Sequence, residues 1–328
     1  MASKSRSRLL DRLSFVIVRS LLWAFSVTPE WLLYPTLDNL GRLYLRCSRR
    51  RRAIVVRNLE QAFGDTKTAA ELRRIAIRSC GHNFMVLGDL ARCARMLRIG
   101  KHRGRVDDAE MMQKIEDGLR AIGQEQPPII NTPHIGSWEV AGMQLGVHFE
   151  RGHIIARPLA HPLLNQWIHD CRAQLGVHVH PRRGGVRKLV AALKDGCAVG
   201  LLPDQNQRTR GLFVEVFGRL ASCDRSPARL SQMGDVALVC VGCYRIGRRY
   251  RFRMEMSDLF KVGPGTPGLI EGTQRLQRAV ETLILRDPEQ YFWVHDRYRT
   301  RPPEEKALVG AEGASGSREV LSTEAQAP

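Results

Sequence analysis

A chain of 328 residues with 43% hydrophobic content can bury a sizeable core, as one large domain or two ordinary ones, which excludes a disordered or fibrous protein. Its 51 Lys and Arg against 33 Asp and Glu give a formal charge of +18, so the surface attracts polyanions: anionic lipid headgroups, acidic carrier proteins or nucleic acid. With 6% aromatic residues and no RNA-recognition, zinc-finger or helix-turn-helix signature among the basic ones, a nucleic-acid partner is not expected.

From Leu9 to Leu33 the chain is mostly apolar but broken by Asp11, Arg12, Arg19 and Pro29-Glu30, a marginal span and a poor signal peptide. Lys4, Arg6 and Arg8 precede it and Arg49 to Arg52 follow it. With Trp23, Trp31 and Tyr34 as interfacial aromatics, this predicts a helix in or along the cytoplasmic leaflet; the bland alternative is an amphipathic core helix with a basic face. Residues 1–45 are therefore taken as an N-terminal membrane-anchoring segment. After the basic run, apolar residues spaced at threes and fours predict helix, with Thr68 as a cap.

The middle changes character. Short apolar runs, "PPIINT", "GHIIA", "VHVH", "CAVGLLP", "DVALVCVG" and "YRFRMEM", recur between helical patterns such as Val186 to Lys194, which predicts an α/β fold with a mixed, largely parallel sheet flanked by helices. In such sheets functional residues gather at strand ends. A long late helix ends at Asp287-Pro288, a main domain spans 46–303, and 304–328 reads as a disordered tail. The eight scattered cysteines read as reduced thiols; Cys240 and Cys243 form a C-x-x-C inside a buried run, with no second pair to complete a zinc site. His178 and His180 alternate on one strand without an evident third metal ligand, so no metal is expected.

The chemistry concentrates in "NTPHIGSWEV". His134 follows a strand, Ser137 is a candidate N-cap, and Glu139 falls in the first helical turn, where the helix dipole favours its ionised form. A carboxylate beside a histidine fixes the imidazole tautomer and stabilises the imidazolium, as a general base requires; the alternative is a loop histidine beside a capping glutamate.

The segment "HIGSWE" resembles the H-x4-D/E box of the glycerolipid acyltransferase superfamily, in the H-x-G-N-W-E form of the bacterial lipid A late acyltransferases. "RNLEQAFG", "ARPLAHPLLNQWIHDCRAQLG", the stretch from Arg182 to Ser222 and "EQYFWVHDRYRTRPP" resemble further blocks of that family in order, covering roughly residues 9 to 303. Ser137 replaces the family's usual Asn, and Glu215-Val216 its commoner Pro-Phe, which leaves acceptor and chain-length preference open.

The resemblance implies a glycerolipid-acyltransferase-like fold and an O-acyltransferase at the inner membrane with its site facing the cytoplasm. An acyl chain would pass from a thioester to a hydroxyl of a membrane lipid, a lipid A precursor, or in the alternative a lysophospholipid, ornithine lipid or glycolipid. It further implies His134 as base and Glu139 as its orienting partner. Gly136, Trp138, Arg157, Asp204, Gln205 and Asn206 would bind substrate, with Asp204 to Asn206 ordering the histidine loop or the donor. The partners implied are acyl carrier protein or acyl-CoA, the lipid acceptor and an anionic membrane surface. No cofactor is implied beyond the phosphopantetheine on the donor. The amides at the start of the helix from residue 137 onward, or a nearby arginine, are expected to face the oxyanion, and Arg297 and Arg299 to serve structural or surface roles. A basic scaffold without catalysis stands as the alternative from another class.

Overall fold

A computed structural model describes residues 8–149, 151–158 and 161–303; the stretch expected to be a tail lies outside them. Helices α1 (Arg8–Val27) and α2 (Glu30–Cys47) are separated at Pro29, which holds extended backbone at the N-cap of α2. Ser48 caps α3 (Arg49–Phe63) by accepting from the Arg51 amide. Thr68 and Glu71 form the reciprocal capping box that starts α4 (Ala69–Arg98), satisfying two of the donors a helix start leaves unpaired.

Among the described residues no helix is long and apolar enough to cross a membrane, because the charges at Asp11, Arg12 and Arg19 interrupt α1. Both α1 and α2 instead pack on α4. They turn outward a surface of large apolar groups, including Ile17, Trp23 and Trp31, the last 75% exposed.

The rest of the chain alternates strands and helices: β1 (Val106–Asp107), α5 (Ala109–Ala121), β2 (Ile129–Asn131), α6 (Trp138–His148), β3 (Gly152–Ala156), α7 (Pro162–Ala173), β4 (Val177–Pro181), α8 (Arg182–Lys194) and β5 (Ala198–Leu201). A hairpin of β6 (Leu212–Val216) and β7 (Arg219–Cys223) stands apart from the main sheet. It is followed by α9 (Ser226–Gly234), β8 (Leu238–Arg245), β9 (Phe252–Phe260) and α10 (Gly265–Arg286). The seven-stranded sheet has the order β1-β9-β8-β2-β5-β3-β4 and is parallel except for β8 against β9. Every run read as a strand from the sequence lies in it; the short β1 and the β6–β7 hairpin are the additions.

All eight residues of β8 are buried, as expected of a central strand covered on both faces. Leu238, Cys240 and Tyr244 pack with α8, α9 and α10, while Val239, Val241 and Cys243 join α4, α5 and α6. On α10 the buried Leu276, Ala279, Val280, Leu283 and Ile284 recur at threes and fours, one face of a helix laid on the sheet.

The helical layer is fastened to the sheet by a buried ion pair. Arg245 of β8 donates to Asp89 of α4, both side chains fully buried. The hydroxyl of Tyr34 in α2 donates to the same carboxylate at 2.9 Å, and the guanidinium lies over the rings of Tyr34 and Phe252, 4.7 and 5.0 Å from their centroids. Removing one partner strands the other charge in a dry interior. Asp89→Ala is expected to lower unfolding free energy by about 3–5 kcal/mol in a denaturant titration, and Tyr34→Phe, which deletes one hydrogen bond, by roughly 1–2 kcal/mol.

Candidate active site

In a parallel sheet the strands leave at one edge, and the topology sets β2, β5 and β3 side by side. His134 follows β2, Asp204 follows β5 and Arg157 follows β3, so three residues distant in sequence share that edge. The Thr132 amide donates to the Leu201 carbonyl at 3.0 Å, carrying the β2–β5 pairing up to the histidine loop.

There Asp204 takes His134 twice. One oxygen accepts the His134 backbone N–H at 2.8 Å and the other accepts ring Nδ1–H at 2.7 Å. Burial alone would raise the Asp204 pKa, but the His134 charge and its two hydrogen bonds, with the nearby Arg297 charge, bring it down to about 2. The carboxylate is therefore ionised at neutral pH. With Nδ1–H directed at Asp204, ring Nε2 carries the lone pair, and the side-chain amide nitrogen of Gln205 donates to it at 3.1 Å. The His134 side chain keeps 16% of its surface exposed, and Trp138 and Phe292 lie against it with ring centroids 5.2 and 5.8 Å away.

Glu139 does not orient His134. Although only five positions separate them, the helix begins between them, and the Glu139 carboxylate accepts from Arg172 of α7 at 2.9 Å. The orienting carboxylate comes from the β5 loop. A five-residue spacing cannot report this, because a helix start swings the later side chain toward a neighbouring helix.

Gly136 fixes how the loop enters α6. Its φ of +53° is left-handed, and a Cβ there would lie 1.9 Å from the Cys243 carbonyl oxygen. The Gly136 amide donates to Gln290 O at 3.0 Å and the Ser137 amide to Cys243 O at 2.8 Å. Both amides are spent on structure, which removes Ser137 from the helix-start amides expected to face the oxyanion. Ser137 occupies the N-cap without a capping bond from its side chain.

The other expected site residues divide. Arg157 is exposed at the sheet edge. Asn206 is engaged structurally: its amide group exchanges hydrogen bonds with Thr300, at 3.1 Å in both directions, and its backbone N–H donates to His295 Nε2 at 2.9 Å. Arg297 is buried, donating to Ser222 O, Cys223 Sγ and Gln277 Oε1. Gly184 kinks the start of α8 with φ of +78°. His178 and His180 have a third histidine beside them, His153 on β3, whose Nδ1 lies 2.9 Å from His180 Nε2. Among the described residues no cluster of His, Cys, Asp or Glu is arranged to hold a metal.

Sequence reasoning did not single out Arg172, Phe292 or His295, although each sits inside a block whose order it had noted. His295 is held neutral, its pKa lowered to about 4 chiefly by burial, and as a neutral acceptor it anchors the Asp204–Asn206 loop.

The bacterial lipid A biosynthesis acyltransferase model matches residues 1–300, and the chain belongs to that family. It is 27% identical over 288 residues to the lipid A biosynthesis lauroyltransferase of Escherichia coli (strain K12), covering 86% of this chain and 90% of that one. It is 25% identical over 293 residues to the palmitoleoyltransferase of the same strain, covering 88% and 91%. A phosphatidylinositol mannoside acyltransferase of Mycobacterium tuberculosis (strain CDC 1551 / Oshkosh) is 29% identical over 154 residues, 44% of this chain and 49% of that one. This protein is accordingly an enzyme of lipid acyl transfer.

Two outcomes follow from the geometry. If Glu139 and Arg172 act as one unit, the unfolding free energies of Glu139→Ala, Arg172→Ala and the double variant will be non-additive by roughly 1–2 kcal/mol in a double-mutant cycle. The folded-state pKa of His295, about 4, lies below its ordinary 6.5, so its stabilisation is complete above pH 6.5 and is lost as pH falls toward 4. His295→Gln, which keeps an acceptor, should flatten the stability-versus-pH curve in that window by on the order of 2 kcal/mol, measured by thermal melts.

Proposed function

We propose that this protein transfers a fatty acyl chain from the thioester of an acyl carrier protein to a hydroxyl of a lipid A precursor at the cytoplasmic face of the inner membrane. The observation that carries the reading is the His134–Asp204 pair, with Nε2 turned to a partly open edge of the sheet. A lipid hydroxyl is a weak nucleophile and a thioester is already activated, so the reaction needs a base, alignment and charge stabilisation.

In the proposed cycle the acceptor hydroxyl displaces the Gln205 amide from Nε2 and gives its proton to that atom as its oxygen attacks the thioester carbon. The ionised carboxylate of Asp204 stabilises the imidazolium. When the tetrahedral adduct collapses, the carbon–sulfur bond breaks and Nε2–H protonates the departing thiolate. Arg157, exposed at the same edge, is suited to a lipid phosphate. Trp138 and Phe292, stacked edge to face, form an apolar wall beside the base. A narrow cavity of about 60 Å³ runs from Trp138 and Glu139 between α6 and the sheet, past Ile130, Leu145 and Ile154. Its apolar lining suits the start of an acyl chain.

The net charge of +18 supports an acidic donor protein and an anionic membrane. The outward apolar groups on α1 and α2 support a membrane-lying edge. The likeness to a phosphatidylinositol mannoside acyltransferase favours, as the second reading, the same chemistry on another glycolipid.

His134→Ala is expected to abolish transfer from acyl carrier protein to a lipid A precursor. Asp204→Asn should lower kcat by about 10²–10⁴ while the protein stays folded. Near-normal turnover in either variant would overturn the mechanism. Mass spectrometry of lipids from a deletion strain separates the acceptors: loss of a secondary chain from lipid A supports the first reading, and an unchanged lipid A with another glycolipid lacking a chain supports the second.

A further inference from the structure

We infer that the groove walled by α2, α3 and α4 binds one molecule of an anionic membrane lipid, at a site separate from the catalytic centre and independent of the reading above. This cavity, about 750 Å³, is far larger than the crevice beside Trp138, and neither His134, Glu139 nor Asp204 lines it. Its floor is apolar: Leu45, Leu59 and Ala76 are buried there, with Leu72 half-buried. A lipid chain laid on that floor leaves water at no polar cost.

The rim supplies the complementary charge. Arg46, Arg52 and Arg73 are exposed around the groove, and Glu60 is the carboxylate among its lining residues. Arg42 also lines it but is held by Asp38, an i,i+4 pair at 2.9 Å on a carboxylate shared with Arg248. Arg52 donates to the Arg46 carbonyl at 2.7 Å, which draws its guanidinium to the C-terminal end of α2, beside Arg46. Three guanidinium groups over an apolar trough match a phosphate-bearing headgroup above an acyl chain. A small soluble anion would leave the trough empty, and a neutral lipid would leave the arginines without a counter-charge.

The location also fits a bilayer lipid. On α2, Leu32, Leu40 and Leu43 are spaced along one helical face and are 47, 47 and 54% exposed. Leu43 lines the groove and Leu32 adjoins the outward Trp31, so exposed leucines of α2 stand both at the groove and at the surface that α1 and α2 turn outward.

The test is native mass spectrometry of the full chain in detergent, titrated with palmitoyl-oleoyl phosphatidylglycerol and with phosphatidylcholine bearing the same chains. Wild type should retain one phosphatidylglycerol about tenfold or more tightly than phosphatidylcholine. Arg46→Glu with Arg73→Glu should abolish that preference, and the matching Arg→Lys pair should keep most of it. Val56→Trp, an exposed groove residue changed without altering charge, should weaken both lipids by filling the trough. Thermal melts of each variant report folding separately. Equal retention of the two lipids by wild type overturns the proposal, as does undiminished phosphatidylglycerol binding in both the charge-reversed and the filled variants. Binding of acyl carrier protein, in place of lipid, that is lost in the charge-reversed variant overturns it too.

Discussion

A buried carboxylate has two oxygens to satisfy, and Asp204 gives both to one residue, one to the ring and one to the backbone of His134. The two bonds do different things. The ring bond sets the tautomer, so the free lone pair lies on Nε2. The backbone bond fixes where the loop carries that ring. An isolated carboxylate in the interior would take up a proton rather than remain charged, so the histidine that Asp204 positions is also what keeps Asp204 ionised. Position and charge state are therefore one constraint, and much of the surrounding structure serves to maintain it.

The bracing comes from the chain's later segments. Asn206 is tied to Thr300 and to His295, and His295 in turn has its carbonyl held by Asn58 of α3 at 2.7 Å. Arg297, buried beneath the β6–β7 hairpin's end, contributes a positive charge toward Asp204 while its own hydrogen bonds go to Ser222, Cys223 and Gln277. On the other side the Phe292 amide donates to the His134 carbonyl at 3.0 Å and a bridge joins Ile135 to Tyr291. Gly136 permits this close approach because it carries no side chain to collide with Cys243.

The sheet was legible because its central strands are buried on both faces, which leaves unbroken apolar runs such as "VALVCVGC" between helical patterns. The capping of α4 was legible because Thr68 and Glu71 are local partners. The β6–β7 hairpin was not read as strands: its five-residue arms alternate only loosely and its Phe217-Gly218 turn lacks the usual asparagine or aspartate. Within the site, the strand-end placement of His134, Arg157 and Asp204 followed from sheet logic. The identity of the carboxylate against His134 did not, since it depends on β2 and β5 being neighbours, and strand order is a long-range property that no local spacing encodes. Glu139 looked like the partner because it is near in sequence; Arg172, from a helix packed on the same edge, claims it in space.

The contacts between His134 and the Tyr291–Phe292 segment have a consequence for how the molecule comes into being. Helices α1 and α2, with their outward apolar groups, precede the histidine loop in the chain, and the segment that closes on the histidine follows it by more than 150 residues. During synthesis these helices emerge before that segment, and until it arrives the ring of His134 lacks its Phe292 wall and its loop lacks the His295 anchor. Such contacts between distant parts of a chain are slow to form and cannot be substituted by local ones. Assembly thus has an inherent order in which the reactive centre is completed late, and a chain cut short of that segment would carry the histidine without the environment that defines its use.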